Sequence, residues 1–164
     1  MIDAGFDLFK DREGKGGDMT FATGDVFAED PLAAIEKNGK KGFDIIHVGA
    51  FLHLFRLPDQ ILVAKALVSF LSSAPDAVIF GWNLGTVEPG EVKVSPKVQA
   101  SVFSHSPESW REFWDDLGTE MGMKWRVEAV LAEYPPFVKR CGSAQVWGEG
   151  YEERKIMNWS VHRA

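Results

Sequence analysis

Phe43 to Val48, Phe-Asp-Ile-Ile-His-Val, is a nearly continuous apolar run and constrains the fold more than any other segment. So short and apolar a run is the pattern of a strand buried on both faces, as in a mainly parallel sheet with helices on either side. It runs on through Gly49-Ala-Phe-Leu-His-Leu-Phe55, which reads as a loop leaving the carboxyl end of that strand. Ligands of open α/β sheets lie outside those carboxyl ends. Phe51 and His53 are therefore placed where chemistry is expected.

The flanking segments alternate between helical and strand patterns, which predicts an α/β fold with 1–164 as a single domain. Ile2, Phe6 and Phe9 recur at helical spacing, and Gly14 to Gly17 end that helix. Met19 to Asp25 reads as a short strand closing in a Gly-Asp turn, and Pro31 to Lys37 as a weak helix stopped by Asn38-Gly39. A helix is predicted over Pro58 to Leu71, with Pro58 in its first turn and Pro75 beyond its end. Ala77 to Trp82 follows as a second buried strand. Asn83 to Ser104 contains Pro89, Gly90 and Pro96 and reads as a long loop, the form of many binding lids. Ser106-Pro107-Glu108 combines a cap, a first-turn proline and an acid at the positive end of a helix dipole. Trp110, Phe113, Trp114, Leu117 and Met121 then share one face, and Gly122 marks the end. Lys124 to Tyr134 alternates as a strand, Pro135-Pro136 breaks it, and Ala144 to Trp147 with Met157 to His162 supplies closing strand material.

Composition narrows the function. The chain has 164 residues, 45% of them hydrophobic, enough for a sizeable core. Its net charge of -6, with Lys and Arg scattered, disfavours nucleic acid and anionic lipid as partners. No stretch approaches the ~20 apolar residues that span a bilayer; the longest, Gln60 to Leu71, contains Lys65. The lone Cys141 forms no intrachain disulfide, and a signal-peptide pattern is lacking at the start, so a cytoplasmic location is expected. There is neither a Cys pair nor a His-x-x-x-His, and no metal is expected.

Four segments taken in order, Gly24-Asp25, Phe43 to Phe55, Gly85-Thr-Val-Glu-Pro-Gly90 and Phe103-Ser-His-Ser-Pro-Glu-Ser-Trp110, carry a family resemblance. The chain resembles the later two-thirds of a class I S-adenosylmethionine-dependent methyltransferase of the fungal secondary-metabolite type. The resemblance implies a truncated Rossmann-like sheet with flanking helices, its first two strands and glycine-rich cofactor turn missing. Met1 to Arg12 resembles the helix after the family's second strand. On the same ground Asp25 would be a vestigial cofactor-binding residue that meets the adenine amino group, and Val48 to His53 would line the methionine arm and the substrate.

The candidate catalytic residues are His53, His47 and His105. Phe51, Trp82 and Asn83 are the candidate substrate-binding residues, Trp82 as a flat apolar wall and Asn83 as a donor to a carbonyl. A neutral imidazole can take and give a proton near pH 7. Plain structural roles stand beside these: a turn former for Asp25, a core imidazole for His47, a helix-entry turn for His105 and packing for Trp82. Cys141 lies near Lys139 and Arg140, which lower a thiol pKa, yet a lone Cys is more often inert.

Without the cofactor turn, the expected function is a cofactor-independent rearrangement of a small apolar natural product: an isomerisation, a cyclisation or a pericyclic step. Such reactions need shape, a polarising donor and a proton shuttle. The alternative is an S-adenosylmethionine-dependent methyltransferase whose site a partner chain completes or of which this chain is a fragment. A third reading is a non-catalytic partner of a methyltransferase. A homodimer is expected, because the apolar Phe43 to Val48 strand lacks the neighbour that the family provides and unpaired apolar edges recruit other strands.

Overall fold

The computed structural model describes residues 23–31, 42–95, 98–133 and 154–164. The chain divides into two compact units, Met1–Lys40 and Lys41–Ala164. In the first unit, Asp25 starts a tight turn: its Oδ1 accepts from the Phe27 N–H at 2.9 Å and its carbonyl accepts from the Ala28 N–H at 3.1 Å. The side chain is exposed, and Thr23 to Asp25 are not part of a strand. The expected helix at Ile2, Phe6 and Phe9, the start of the Met19 strand and the helix over Pro31 to Lys37 lie outside the described residues.

The second unit carries strands β1 (Ile45–Gly49), β2 (Val78–Gly85), β5 (Trp125–Ala132) and β6 (Lys155–Arg163) in one sheet of order β1-β2-β6-β5. Strands β3 (Gly90–Ser95) and β4 (Val98–Ser104) form a separate hairpin sheet. Helices α1 (Leu57–Phe70) and α2 (Pro107–Met121) complete the unit. The α1 crossover makes β1 and β2 parallel, since parallel neighbours need a long connection, whereas β6 runs antiparallel to both β2 and β5. The class is mixed α/β, as the alternating pattern predicts.

Gly81 explains how tightly β1 and β2 approach. A Cβ there would lie 1.8 Å from the Val48 carbonyl oxygen, closer than atoms can come. Helix α2 begins and ends where its sequence directs: Ser106 and Ser109 exchange side-chain and backbone bonds as a capping box, and Gly122 closes the helix at φ +66°. Its inward face carries Trp110 and Trp114, both fully buried. Trp110 meets Trp159 of β6 at 5.1 Å between ring centroids, and Trp114 meets Trp125 of β5 at 5.8 Å. A Lys65–Glu120 ion pair of 2.5 Å ties α1 to α2.

Side chains alternate across the strands. Ile79, Asn83, Met157, Trp159 and Val161 point into the buried layer, while Ile45, Phe80, Trp82 and Val130 point the other way and are exposed. The strand at Phe43 to Val48 is therefore not buried on both faces. Val48 is 6% exposed but Ile45 is 66%, and β1 pairs only with β2 among the described residues.

The expected lid is also corrected. The described residues of 83–104 include the end of β2 and the antiparallel strands β3 and β4, in which β-branched Val92 pairs with Val102. The alternation in Glu91-Val-Lys-Val94 and Ala100-Ser-Val-Phe103 favours pleated structure strongly enough to outweigh the turn signals of Pro89 and Pro96. Tyr134 to Trp147, with Cys141, lies outside the described residues. None of the described helices is long and apolar enough to cross a membrane.

Candidate active site

The carboxyl ends of β1 and β2 set the site. Beyond Gly49 the chain turns at Ala50, whose φ of +54° lies in the left-handed region that side-chain-bearing residues seldom occupy. Its N–H donates to the Trp82 carbonyl at 2.8 Å, so this strained turn is pinned to β2. Strain of this kind persists only where the surroundings enforce it, and it gathers at functional sites. A single 3-10 turn, Leu52–Leu54, follows. Leu52 is fully buried and anchors it, and Phe51 packs edge-on against Phe55 at 5.1 Å.

His53 rides on that turn, half-buried. Burial lowers its pKa below the ordinary 6.5, and the positive charge of Arg154 acts in the same direction, against an opposing hydrogen bond with the Asn83 side chain. Its Nδ1 is buried with no hydrogen-bond partner. Asn83 is 2% exposed. Oriented to suit its surroundings, its amide nitrogen donates to the Trp82 carbonyl at 3.1 Å and its oxygen accepts from Trp159 Nε1 at 3.1 Å. The expected free donor is thus largely committed to bonds within the protein.

His47 and Trp82 occupy the opposite face of the sheet. They converge over Gly49, where a Cβ would lie 3.3 Å from His47 Cε1 and 3.2 Å from Trp82 Nε1. The His47 ring also leans on Phe80 at 5.0 Å. His105 is in neither group. It is 5% exposed between β4 and α2, with Nδ1 2.9 Å from Ser109 Oγ and Nε2 3.2 Å from Gln60 Oε1. Burial brings its pKa down to about 4, against a smaller opposing hydrogen bond at Ser109. His105 follows the paired strands β3 and β4, where the sequence predicts a lid.

The structure therefore brings His53 together with Asn83, and His47 together with Trp82, on opposite sides of one pair of strand ends. Asp25 belongs to the other unit. Gln60, missed by the sequence reading, is 1% exposed and donates to the Phe55 and Phe103 carbonyls at 3.0 and 2.8 Å. Its signal was a polar residue at helical spacing from Ala64 and Leu67 on an otherwise apolar stripe. Among the described residues no three His, Cys, Asp or Glu side chains gather as a metal site.

Sequence comparison adds to this geometry. No protein-family model matches the chain. It is 33% identical over 127 residues to the O-methyltransferase phiE of a fungal species, covering 77% of this chain and 41% of that protein. It is 30% identical over 132 residues to the O-methyltransferase atr3 of Stereocaulon alpinum, covering 80% of this chain and 37% of that protein. The chain is thus related in sequence to part of these fungal O-methyltransferases. It spans about two-fifths of the length of these curated relatives. A solved S-adenosylmethionine-dependent methyltransferase from Mesorhizobium loti is 12% identical with a TM-score of 0.43, covering 84% of this chain and 77% of that one. So distant a likeness carries no weight in the assignment.

Proposed function

We propose that this chain forms the acceptor side of an S-adenosylmethionine-dependent O-methyltransferase acting on a small, largely apolar natural product that bears a hydroxyl or carboxyl group. The observation that supports it most is the relation to two proteins named O-methyltransferases. The residues present suit the methyl-donor end of such a cofactor. The backbone at Gly49 is open where a side chain would crowd His47 and Trp82, and His53 keeps a buried nitrogen without a partner. Gly49 and Ala50, at the carboxyl end of β1 where the His53 turn departs, would hold the methionine end.

When bound, S-adenosylmethionine supplies an electrophilic methyl group. The chain's own part is to orient the acceptor and remove its proton. A lowered pKa keeps the His53 imidazole neutral at pH 7, so it is ready to take the acceptor's O–H proton as the oxygen becomes a nucleophile. Phe51 and Phe55 give an apolar wall beside it. Assembly as a homodimer through the β1 edge belongs to the same proposal, supported by the exposed Ile45 on a strand with one described neighbour.

The same imidazole beside aromatic walls also suits the second reading, a cofactor-free isomerisation or cyclisation, because that chemistry needs a proton shuttle and shape alone. One experiment separates the readings. The purified chain is titrated calorimetrically with S-adenosylmethionine and S-adenosylhomocysteine, then incubated with candidate hydroxylated acceptors with and without the cofactor, and the products are weighed by mass spectrometry. A gain of one methyl mass that requires cofactor supports the proposal. A product of unchanged mass formed without cofactor overturns it in favour of rearrangement, and no turnover with no binding favours the non-catalytic partner.

A further inference from the structure

Between α1, α2 and the end of β4 lies a half-open cavity of about 280 Å³. It stands at the small end of the roughly 300–1,000 Å³ range typical of ligand pockets. Leu57, Ile61 and Leu117 supply aliphatic walls. Three rings meet at its inner end: Phe103 and His105 at 4.8 Å between centroids, His105 and Phe113 at 5.3 Å. None of these residues belongs to the strand ends where His53 sits.

The rim is acidic. Glu112, Asp116 and Glu120 follow one another at four-residue spacing along α2, all facing the cavity. Glu120 is engaged by Lys65, whereas Glu112 and Asp116 have no cationic partner among the described residues. Aromatic faces present negative charge to a cation, and an ammonium seated over them is held more strongly when carboxylates stand beside the rings. His105 contributes no competing positive charge at pH 7, since burial between β4 and α2 keeps its ring neutral against the opposing hydrogen bond at Ser109. Apolar walls, clustered rings and unpaired carboxylates together select one ligand chemistry.

We propose that this cavity binds a small organic ammonium ion, an amine with an aromatic or aliphatic body that fills the apolar floor while its charge meets Glu112 and Asp116. The inference goes beyond the methyltransferase reading and does not depend on it.

Phenethylamine and its uncharged counterpart 2-phenylethanol serve as probes on the full chain, followed by chemical-shift perturbation and calorimetry at low salt. Phenethylamine is expected to shift the Phe103, Phe113 and Leu117 signals and to bind at least fivefold more tightly than the alcohol. The Glu112→Gln, Asp116→Asn double variant should lose about tenfold in amine affinity, the sum of two exposed ion pairs of ordinary strength, with affinity for the alcohol unchanged. Both positions are exposed, so the variant keeps its fold, which its melting temperature verifies. Equal affinity for amine and alcohol, an amine affinity indifferent to the double variant, or no shift at the three apolar residues would each overturn the proposal.

Discussion

Gln60 Oε1 lies 3.2 Å from His105 Nε2, and because an amide oxygen can only accept, the imidazole carries its proton on Nε2. Its Nδ1 is left to accept from the Ser109 hydroxyl at 2.9 Å. Gln60 meanwhile donates to the Phe55 and Phe103 carbonyls, so one buried side chain joins the end of the His53 turn, the hairpin and the entry to α2.

This neutral, buried His105 predicts acid sensitivity. Its folded pKa of about 4 lies below the ordinary 6.5, so the unfolded chain takes up a proton over a range where the folded chain does not. Stability is therefore full above pH 6.5 and falls as the pH drops toward 4, by at most about 3 kcal/mol from this group. Urea melts at pH 7.5 and pH 4.5 should show that fall, and His105→Gln should show a smaller pH dependence from a lower starting stability.

His53→Ala should lower turnover by about 10²–10⁴-fold, the usual cost of losing a positioned acid–base group, with little change in melting temperature because the side chain is half-buried. In the unaltered protein the rate should climb as His53 deprotonates, with its inflection below pH 6.5, the direction in which burial moves this imidazole. A flat pH–rate profile, or an active His53→Ala, would remove it from the proposed mechanism.

Asn83→Ala should act on stability first. It leaves the buried Trp159 Nε1 without its acceptor, at a cost of about 1–3 kcal/mol. Thermal denaturation and kinetics run together distinguish this from a purely catalytic loss. Gly81→Ala should be far worse, since the new methyl would overlap the Val48 carbonyl, and soluble expression is the readout.

Ile45→Lys tests the assembly. Burial of Ile45 within the chain would make a charge there cause precipitation, but at 66% exposure the position tolerates one. Light scattering should show the parent chain as a dimer and the variant as a soluble monomer. A parent chain that is monomeric at low micromolar concentration would dispose of the dimer.

Much of the fold was legible because the relevant signals are local. Pro58, Ser106, Pro107 and Gly122 fixed both helices to within a residue or so, and the short apolar runs fixed β1 and β2. The β3–β4 hairpin was misread because prolines and glycines around it were weighed above the alternation of Val92, Val94 and Val102. His53 and Asn83 were legible as neighbours at the strand ends. The separation of His47 from His53 was not, since which side of a sheet a post-strand turn enters depends on packing around Leu52. Gln60 escaped because nothing local shows that a glutamine inside a helix is bridging carbonyls 5 and 43 residues away.

At the far margin of the sheet, Arg111 reaches from α2 and donates through its guanidinium to the Ala129 carbonyl of β5 at 3.0 Å. One carbonyl of β5 is thereby occupied by a cation, while the β1 border has no such guard among the described residues. Strand addition at one border alone joins two chains about a two-fold axis and then has nowhere to continue. In the proposed dimer this arginine would occupy a backbone acceptor that a further chain would need at the β5 border, so growth past two copies would have to displace it.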